Sequence, residues 1–151
     1  MTHLEFSELR GIIYSDLTEL EATGISEDSR NVRPGDIFVA VSGAHADGHD
    51  FAVDAVSAGA VAILGDRPGI CRLEGCPYLY AEHPREAEAL LAHVIANDPT
   101  ATLKVIGITG TNGKSSTALL VQEILKEAGH PTSNFGTMGY EIGGVMLPAA
   151  H

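Results

Sequence analysis

The first hundred residues of this 151-residue chain contain no lysine at all. Only two cysteines occur, Cys71 and Cys76, and neither a second cysteine pair nor a histidine cluster stands at zinc-ligand spacing. That excludes a disulfide-built scaffold and a structural zinc site, and it fits two reduced thiols in a cytosolic chain. No stretch approaches the roughly 18 apolar residues that a membrane helix needs. The opening Met1-Thr2-His3-Leu4-Glu5-Phe6-Ser7-Glu8 holds two acids and no apolar run, so it does not read as a secretory leader.

Cations are also scarce overall, with nine Lys and Arg against twenty Asp and Glu and a formal charge of −11. A surface of that sign argues against coating duplex DNA or an anionic membrane. The imbalance is local, however. Residues 1–100 carry six Arg and seventeen acids, a net −11, whereas residues 101–151 carry Lys104, Lys114 and Lys126 against three acids, a net of zero. The same short region holds eight of the seventeen glycines. A bound phosphate is therefore expected there.

Strand-like and helix-like segments alternate, which is the pattern of an α/β protein. Ile37-Phe38-Val39-Ala40-Val41 is a continuous apolar run between Pro34-Gly35-Asp36 and Ser42-Gly43, so it predicts a buried strand. Asp50 is the expected cap of a helix that carries Phe51, Ala55 and Ala58 and stops at Gly59. Residues 61–64 read as the next strand and residues 77–81 as a weaker one. Pro84 opens a helix with Ala87, Leu90, Leu91 and Val94 at three-and-four spacing. Asn97-Asp98-Pro99-Thr100 has turn chemistry and sets the expected boundary between a first domain, 1–100, and a second, 101–151. In the second, residues 103–109 read as a strand and residues 114–128 as a helix with Leu120, Val121, Ile124, Leu125 and Ala128 on one face. A strand and a hairpin turning at Gly143-Gly144 follow.

The segment Thr109-Gly110-Thr111-Asn112-Gly113-Lys114-Ser115-Ser116 carries the chemistry. Successive N–H groups of a tight glycine turn form an anion-binding nest, and the helix that follows adds its positive N-terminal end. Lys114 supplies a mobile charge for the β- and γ-phosphates of a nucleoside triphosphate, and Ser115 a hydroxyl for the accompanying Mg²⁺. The strict Walker spacing would put glycine at position 108, where this chain has Ile108. Glycines at 107, 110 and 113 also miss the dinucleotide-binding spacing.

This loop resembles the ATP-binding loop of the Mur ligases and the related folylpolyglutamate synthases. Two more segments resemble the Mur ligases of the MurE-type branch. One is Asp28-Ser29-Arg30 with Val32-Arg33-Pro34-Gly35-Asp36 and Gly43-Ala44-His45-Ala46-Asp47-Gly48; the other is Phe135-Gly136-Thr137-Met138-Gly139-Tyr140 leading to Leu147-Pro148-Ala149-Ala150-His151. The resemblance implies a small N-terminal α/β domain followed by the start of a P-loop central domain with a mostly parallel sheet. It implies ATP and Mg²⁺ as cofactors, held by Gly110, Thr111, Asn112, Gly113, Lys114, Ser115 and Ser116, with Ser115 as the metal ligand. Ser29, Ala44, His45 and Ala46 match positions that hold the UDP end of the substrate, and His151 stands where a substrate-binding Thr-Thr motif begins. Taken alone, His45 and His49 would read as surface histidines.

The activity so implied is cytoplasmic peptidoglycan precursor synthesis: a diamino acid is joined to UDP-MurNAc-L-Ala-D-Glu through an acyl phosphate made with ATP. Family members are much longer and have three domains. The expectation is therefore a monomeric, separately inactive portion with no catalytic residue of its own and an uncovered apolar face in its second domain. The alternatives are a UDP-sugar-binding module without turnover and a MurF-type or folate-type ligase. The Thr111-Asn112 pair and the Gly136-Thr137 segment weigh against MurF, and the residue 45–48 loop against the folate enzymes.

Overall fold

A computed structural model describes residues 1–6, 9, 11–43, 46–70, 72–136 and 139–147. The chain divides into two compact units, Met1–Leu103 and Lys104–His151. The architecture is α/β with a mostly parallel sheet.

The first unit begins with an antiparallel ribbon of β1 (Thr2–Glu5) and β2 (Glu19–Ala22). A five-stranded sheet follows, built from β3 (Gly24–Ser26), β4 (Asp36–Ala40), β5 (Ala62–Gly65), β6 (Arg72–Leu73) and β7 (Cys76–Tyr80) in the order β3-β4-β5-β7-β6. Every pairing from β3 to β7 is parallel, and β6 closes the edge as an antiparallel hairpin strand. Strands buried on both faces read as unbroken apolar runs, and all five residues of β4 are buried. Alternation then sorts them between two cores. Ile37, Val39, Leu64 and Leu79 face the ribbon and helix α2 (Pro84–Ile95), where they meet Leu4, Ala87 and Leu91. Phe38, Ala40, Ile63 and Tyr78 face helix α1 (Ala52–Ala58) and its Ala52 and Ala55.

The start of α1 departs from the sequence reading. A 3₁₀ turn, Gly48–Phe51, precedes it, and Asp47 rather than Asp50 accepts the capping hydrogen bond, from the His49 N–H. The tighter turn moves the first free amides upstream, to where Asp47 can reach them. Gly59 ends the helix at φ 106°, with its N–H on the Ala55 and Val56 carbonyls. A Cβ there would lie 2.9 Å from Pro34 Cα, so both conformation and space require glycine. On α2, Ala87 and Leu91 are buried, while Leu90 and Val94 lie at the edge of the buried face. Asn97 and Asp98 end this region in left-handed conformations. Cys76 is a buried free thiol; Cys71 lies outside the described residues.

In the second unit, helix α3 (Lys114–Glu127) packs on an antiparallel meander of β8 (Ser133–Gly136), β9 (Gly139–Ile142) and β10 (Val145–Leu147). Gly143 and Gly144, both at positive φ, form the expected two-residue hairpin. The strand expected over residues 103–109 forms no ladder among the described residues. Val105 and Ile106 are 72% and 61% exposed, and β8, β9 and β10 satisfy one another instead. The apolar face expected on α3 also divides. Ala118, Val121, Gln122 and Leu125 form its less exposed face, whereas Leu120 and Ile124 are 65% and 67% exposed. The buried Gln122 amide donates to Glu141 Oε2 at 2.9 Å, and Lys126 Nζ reaches Glu141 Oε1 at 2.8 Å. Polar contacts thus help to seat this helix. Among the described residues, no helix is long and apolar enough to cross a membrane.

Candidate functional site

The glycine-rich segment of the second unit has the local geometry that anion binding requires. Gly110 has φ 147° and Gly113 φ 77°, the second being the left-handed N-cap of α3. The first hydrogen bond of the helix runs from the Thr117 N–H to the Gly113 carbonyl at 2.9 Å. The amides of Lys114, Ser115 and Ser116 therefore precede the intrahelical ladder and are available to an acceptor beyond the helix end. No atom comes within 4 Å of a Cβ placed on Gly107 or Gly113, so an approaching phosphate meets open space. Lys114 Nζ lies across the turn and donates to the Gly110 carbonyl at 2.8 Å. Thr111, Asn112, Lys114, Ser115 and Ser116 are all exposed.

This donor set fits a triphosphate with its magnesium ion: three free amides, one ammonium and one hydroxyl. Among the described residues, no three His, Cys, Asp or Glu side chains converge on a possible metal position. The Ser115 hydroxyl is among the exposed hard oxygen donors of this loop, the kind of ligand Mg²⁺ takes together with phosphate oxygens.

In the first unit, parallel topology gathers the exits of successive strands on one edge of the sheet. The turn after β3 contains Ser29, partly buried, in a 3₁₀ turn, Ser29–Asn31. Asp28 caps that turn through the Arg30 N–H at 3.0 Å and also accepts from the Arg30 guanidinium at 2.9 and 2.7 Å. The Arg30 contact holds the Asp28 carboxyl down at about 2. The loop after β4 contains Ala46, whose carbonyl accepts from the Gly43 N–H at 3.0 Å. Because β3 and β4 are parallel neighbours, Ser29 and Ala46 belong to the same carboxyl edge, where open α/β sheets bind ligands. Ala44, His45 and His151 lie outside the described residues, as do Thr137 and Met138.

The same edge holds a cluster that sequence reasoning missed. His49 is not a surface histidine; its side chain is 2% exposed. Its Nδ1 lies 2.7 Å from Asp47 Oδ1 and its Nε2 2.7 Å from Tyr78 Oη. The Arg67 N–H donates to Tyr78 Oη at 3.1 Å, and the Arg67 guanidinium pairs with Asp47 Oδ2. Hydrogen bonds from the His49 backbone and ring, with Arg67 nearby, lower the Asp47 carboxyl, whereas burial raises the Tyr78 phenol. Asp66 accepts from the Ser42 N–H and Oγ, each at 3.3 Å. These groups come from the exits of β4 and β5 and from within β7, so no local pattern joins them. The available signal was Asp47-Gly48-His49 directly after a buried strand. An open cavity of about 580 Å³ lies beside Tyr14, Tyr78 and Tyr80, and none of the ligand positions expected from sequence lines it.

A sequence model described as "Mur ligase family, catalytic domain" matches residues 21–106. A UDP-N-acetylmuramyl-tripeptide synthetase of Deinococcus radiodurans is 42% identical over 125 residues, 83% of this chain and 26% of that protein. A UDP-N-acetylmuramoyl-L-alanyl-D-glutamate–2,6-diaminopimelate ligase of Solibacter usitatus is 40% identical over 136 residues, 90% of this chain and 27% of its own. Among solved structures, a ligase of the latter name superposes with TM-score 0.72 and 25% identity over 98% of this chain and 30% of its own. A MurF ligase from Thermotoga maritima in complex with ADP gives TM-score 0.55 and 30% identity over 70% of this chain and 24% of that one. The chain thus spans about a quarter of the length of the curated relatives it matches. With the family's sequence model covering more than half of its residues, the chain belongs to the Mur ligase family.

Proposed function

We propose that this chain is the opening part of an ATP-dependent amide ligase of peptidoglycan precursor synthesis, which joins a diamino acid to UDP-MurNAc-L-Ala-D-Glu. The observation that carries this reading is the loop of residues 107–113, which delivers Lys114 and three free amides to the start of α3. Residues 1–100 serve as the UDP-substrate-binding domain, and residues 101–151 as the first part of the ATP-binding domain. The better superposition on the diaminopimelate-adding ligase than on MurF supports a MurE-type over a MurF-type enzyme.

The chemistry follows from the substrate. A carboxylate at neutral pH is a poor electrophile, so one of its oxygens attacks the γ-phosphorus of ATP, ADP leaves, and an acyl phosphate forms. The amine of the diamino acid then attacks the acyl carbon, and inorganic phosphate departs with the C–O bond pair. This chain's residues work on the first step by positioning and charge, the main tools of phosphoryl transfer. Lys114 and the amides of residues 114–116 neutralise and orient the phosphates. Ser115 would hold the Mg²⁺, which when bound would offset phosphate charge. Ser29 and the residue 44–46 loop hold the uracil and diphosphate of the second substrate, in a cytoplasmic, monomeric enzyme.

Replacing Lys114 by Ala in the full-length ligase tests the assignment. The expected outcome is a fall of about 100-fold or more in kcat for amide formation, with an unchanged circular dichroism spectrum. Ligation at the normal rate would sink it.

A further inference from the structure

Five polar side chains on the carboxyl edge of the first unit have no part in the chemistry just described: Asp47, His49, Asp66, Arg67 and Tyr78. Asp47 is held ionised by its donors and can only accept, so His49 Nδ1, 2.7 Å away, must donate. Tyr78 Oη accepts from the Arg67 N–H and is hydrogen-bonded to His49 Nε2 at 2.7 Å, with Asp66 Oδ1 3.8 Å from the same ring nitrogen. The Arg67 guanidinium returns to Asp47 and closes the circuit.

The circuit is built tightly around two glycines. A Cβ on Gly65 would collide with Tyr78 Oη and lie 2.8 Å from His49 Nε2; one on Gly48 would lie 2.7 Å from the Val41 nitrogen. Both stems of the loop after β4 are tied down as a result. Ser42, at its start, is held by Asp66, and Asp47, at its end, by His49 and Arg67. The Gly48 N–H also returns to the Val41 carbonyl at 3.0 Å.

We propose that His49, donating from Nδ1 to Asp47, is a positioning residue that works through Asp47 and Tyr78 to set the stems of the loop after β4, residues 42–43 and 46–47, for a nucleoside diphosphate. The proposal rests on the reading of this edge as the UDP-binding side. His49 touches no ligand itself; its effect passes through the backbone that it and Asp47 anchor.

Two measurements on the 151-residue chain test it. Long-range proton–nitrogen NMR of the histidine rings should show His49 with a proton on Nδ1, the donor to Asp47. Titration with UDP should show weaker binding, by about fivefold or more, for Tyr78→Phe and His49→Ala at unchanged secondary structure. The double variant should be little worse than the poorer single one, as expected when two residues act as one unit. His49→Asn, which keeps a donor near Asp47, should recover part of the loss. A His49 ring with no proton on Nδ1 would overturn the proposal, as would Tyr78→Phe binding UDP like the wild type. A wild-type chain that does not bind UDP would overturn the UDP reading of this edge and the positioning role with it. UDP binding that survives every substitution would overturn the positioning role alone.

Discussion

Residues 1–103 and residues 104–147 are built from similar apolar side chains, yet they place them in opposite surroundings. In the first unit Ile37, Ile63, Leu64 and Leu79 are completely buried, each against a helix or the β1–β2 ribbon. In the second, Val105, Ile106, Leu120 and Ile124 face outward, and a polar group formed by Gln122, Lys126 and Glu141 helps to seat the helix. An apolar run is a demand for a partner, and only the first unit meets it among the described residues. The two candidate sites differ in the same way. The edge of the first unit is a closed hydrogen-bond circuit between strand ends, whereas the glycine loop of the second leaves its amides and its lysine exposed.

The largest effect that could break this contrast is a truncation in each unit. Leu64→Ala should cost about 2–5 kcal/mol by removing a fully enclosed side chain, whereas Ile124→Ala should change stability by no more than about 0.5 kcal/mol. Urea unfolding followed by circular dichroism measures both, and equal costs would abolish the distinction.

A smaller effect separates the units by pH. Burial, with the neighbouring Glu27 carboxylate adding to it, pushes Glu88 on α2 from 4.5 up to about 7. The folded form then binds that proton more tightly than the unfolded chain does, so the contribution of Glu88 is fully present below about pH 4.5 and is lost as pH rises through about 7. Glu88→Gln should therefore gain stability over the wild type progressively across that interval. In the second unit, the hydrogen bond from Lys126 lowers Glu141, so its contribution is present at neutral pH and is lost on acidification. Glu141→Gln should accordingly lose stability relative to the wild type at neutral pH, with the deficit closing in acid. Thermal melts across pH would show these opposite slopes, and slopes of one sign would contradict them.

Legibility in the sequence followed locality. β4, β5 and β7 announced themselves as apolar runs between breakers, α2 by Pro84 and its spacing, and the hairpin by Gly143-Gly144. The ribbon of β1 and β2 did not. Each strand buries a single residue, Leu4 or Ala22, within a polar stretch, and the pairing joins Thr2 to Ala22 across the intervening chain. Residues 103–109 mislead in the reverse sense, because their apolar run carries no information about whether a partner strand is present. The glycine-rich loop was readable since its turn, lysine and helix are contiguous. The His49 circuit was not, because Asp47, Arg67 and Tyr78 meet only after three parallel strands align.

The proposed function calls for two separate nucleotide sites, one in each unit. The most direct test is amide NMR of the 151-residue chain, titrated with UDP and, in a second sample, with Mg²⁺ and ATP. UDP should move the amides of Ser29, Ser42 and Asp47 and leave the glycine loop unmoved, while ATP should move residues 110–116 and leave the sheet edge unmoved. Shifts from both nucleotides in the same residues, or from neither in these loops, would contradict it.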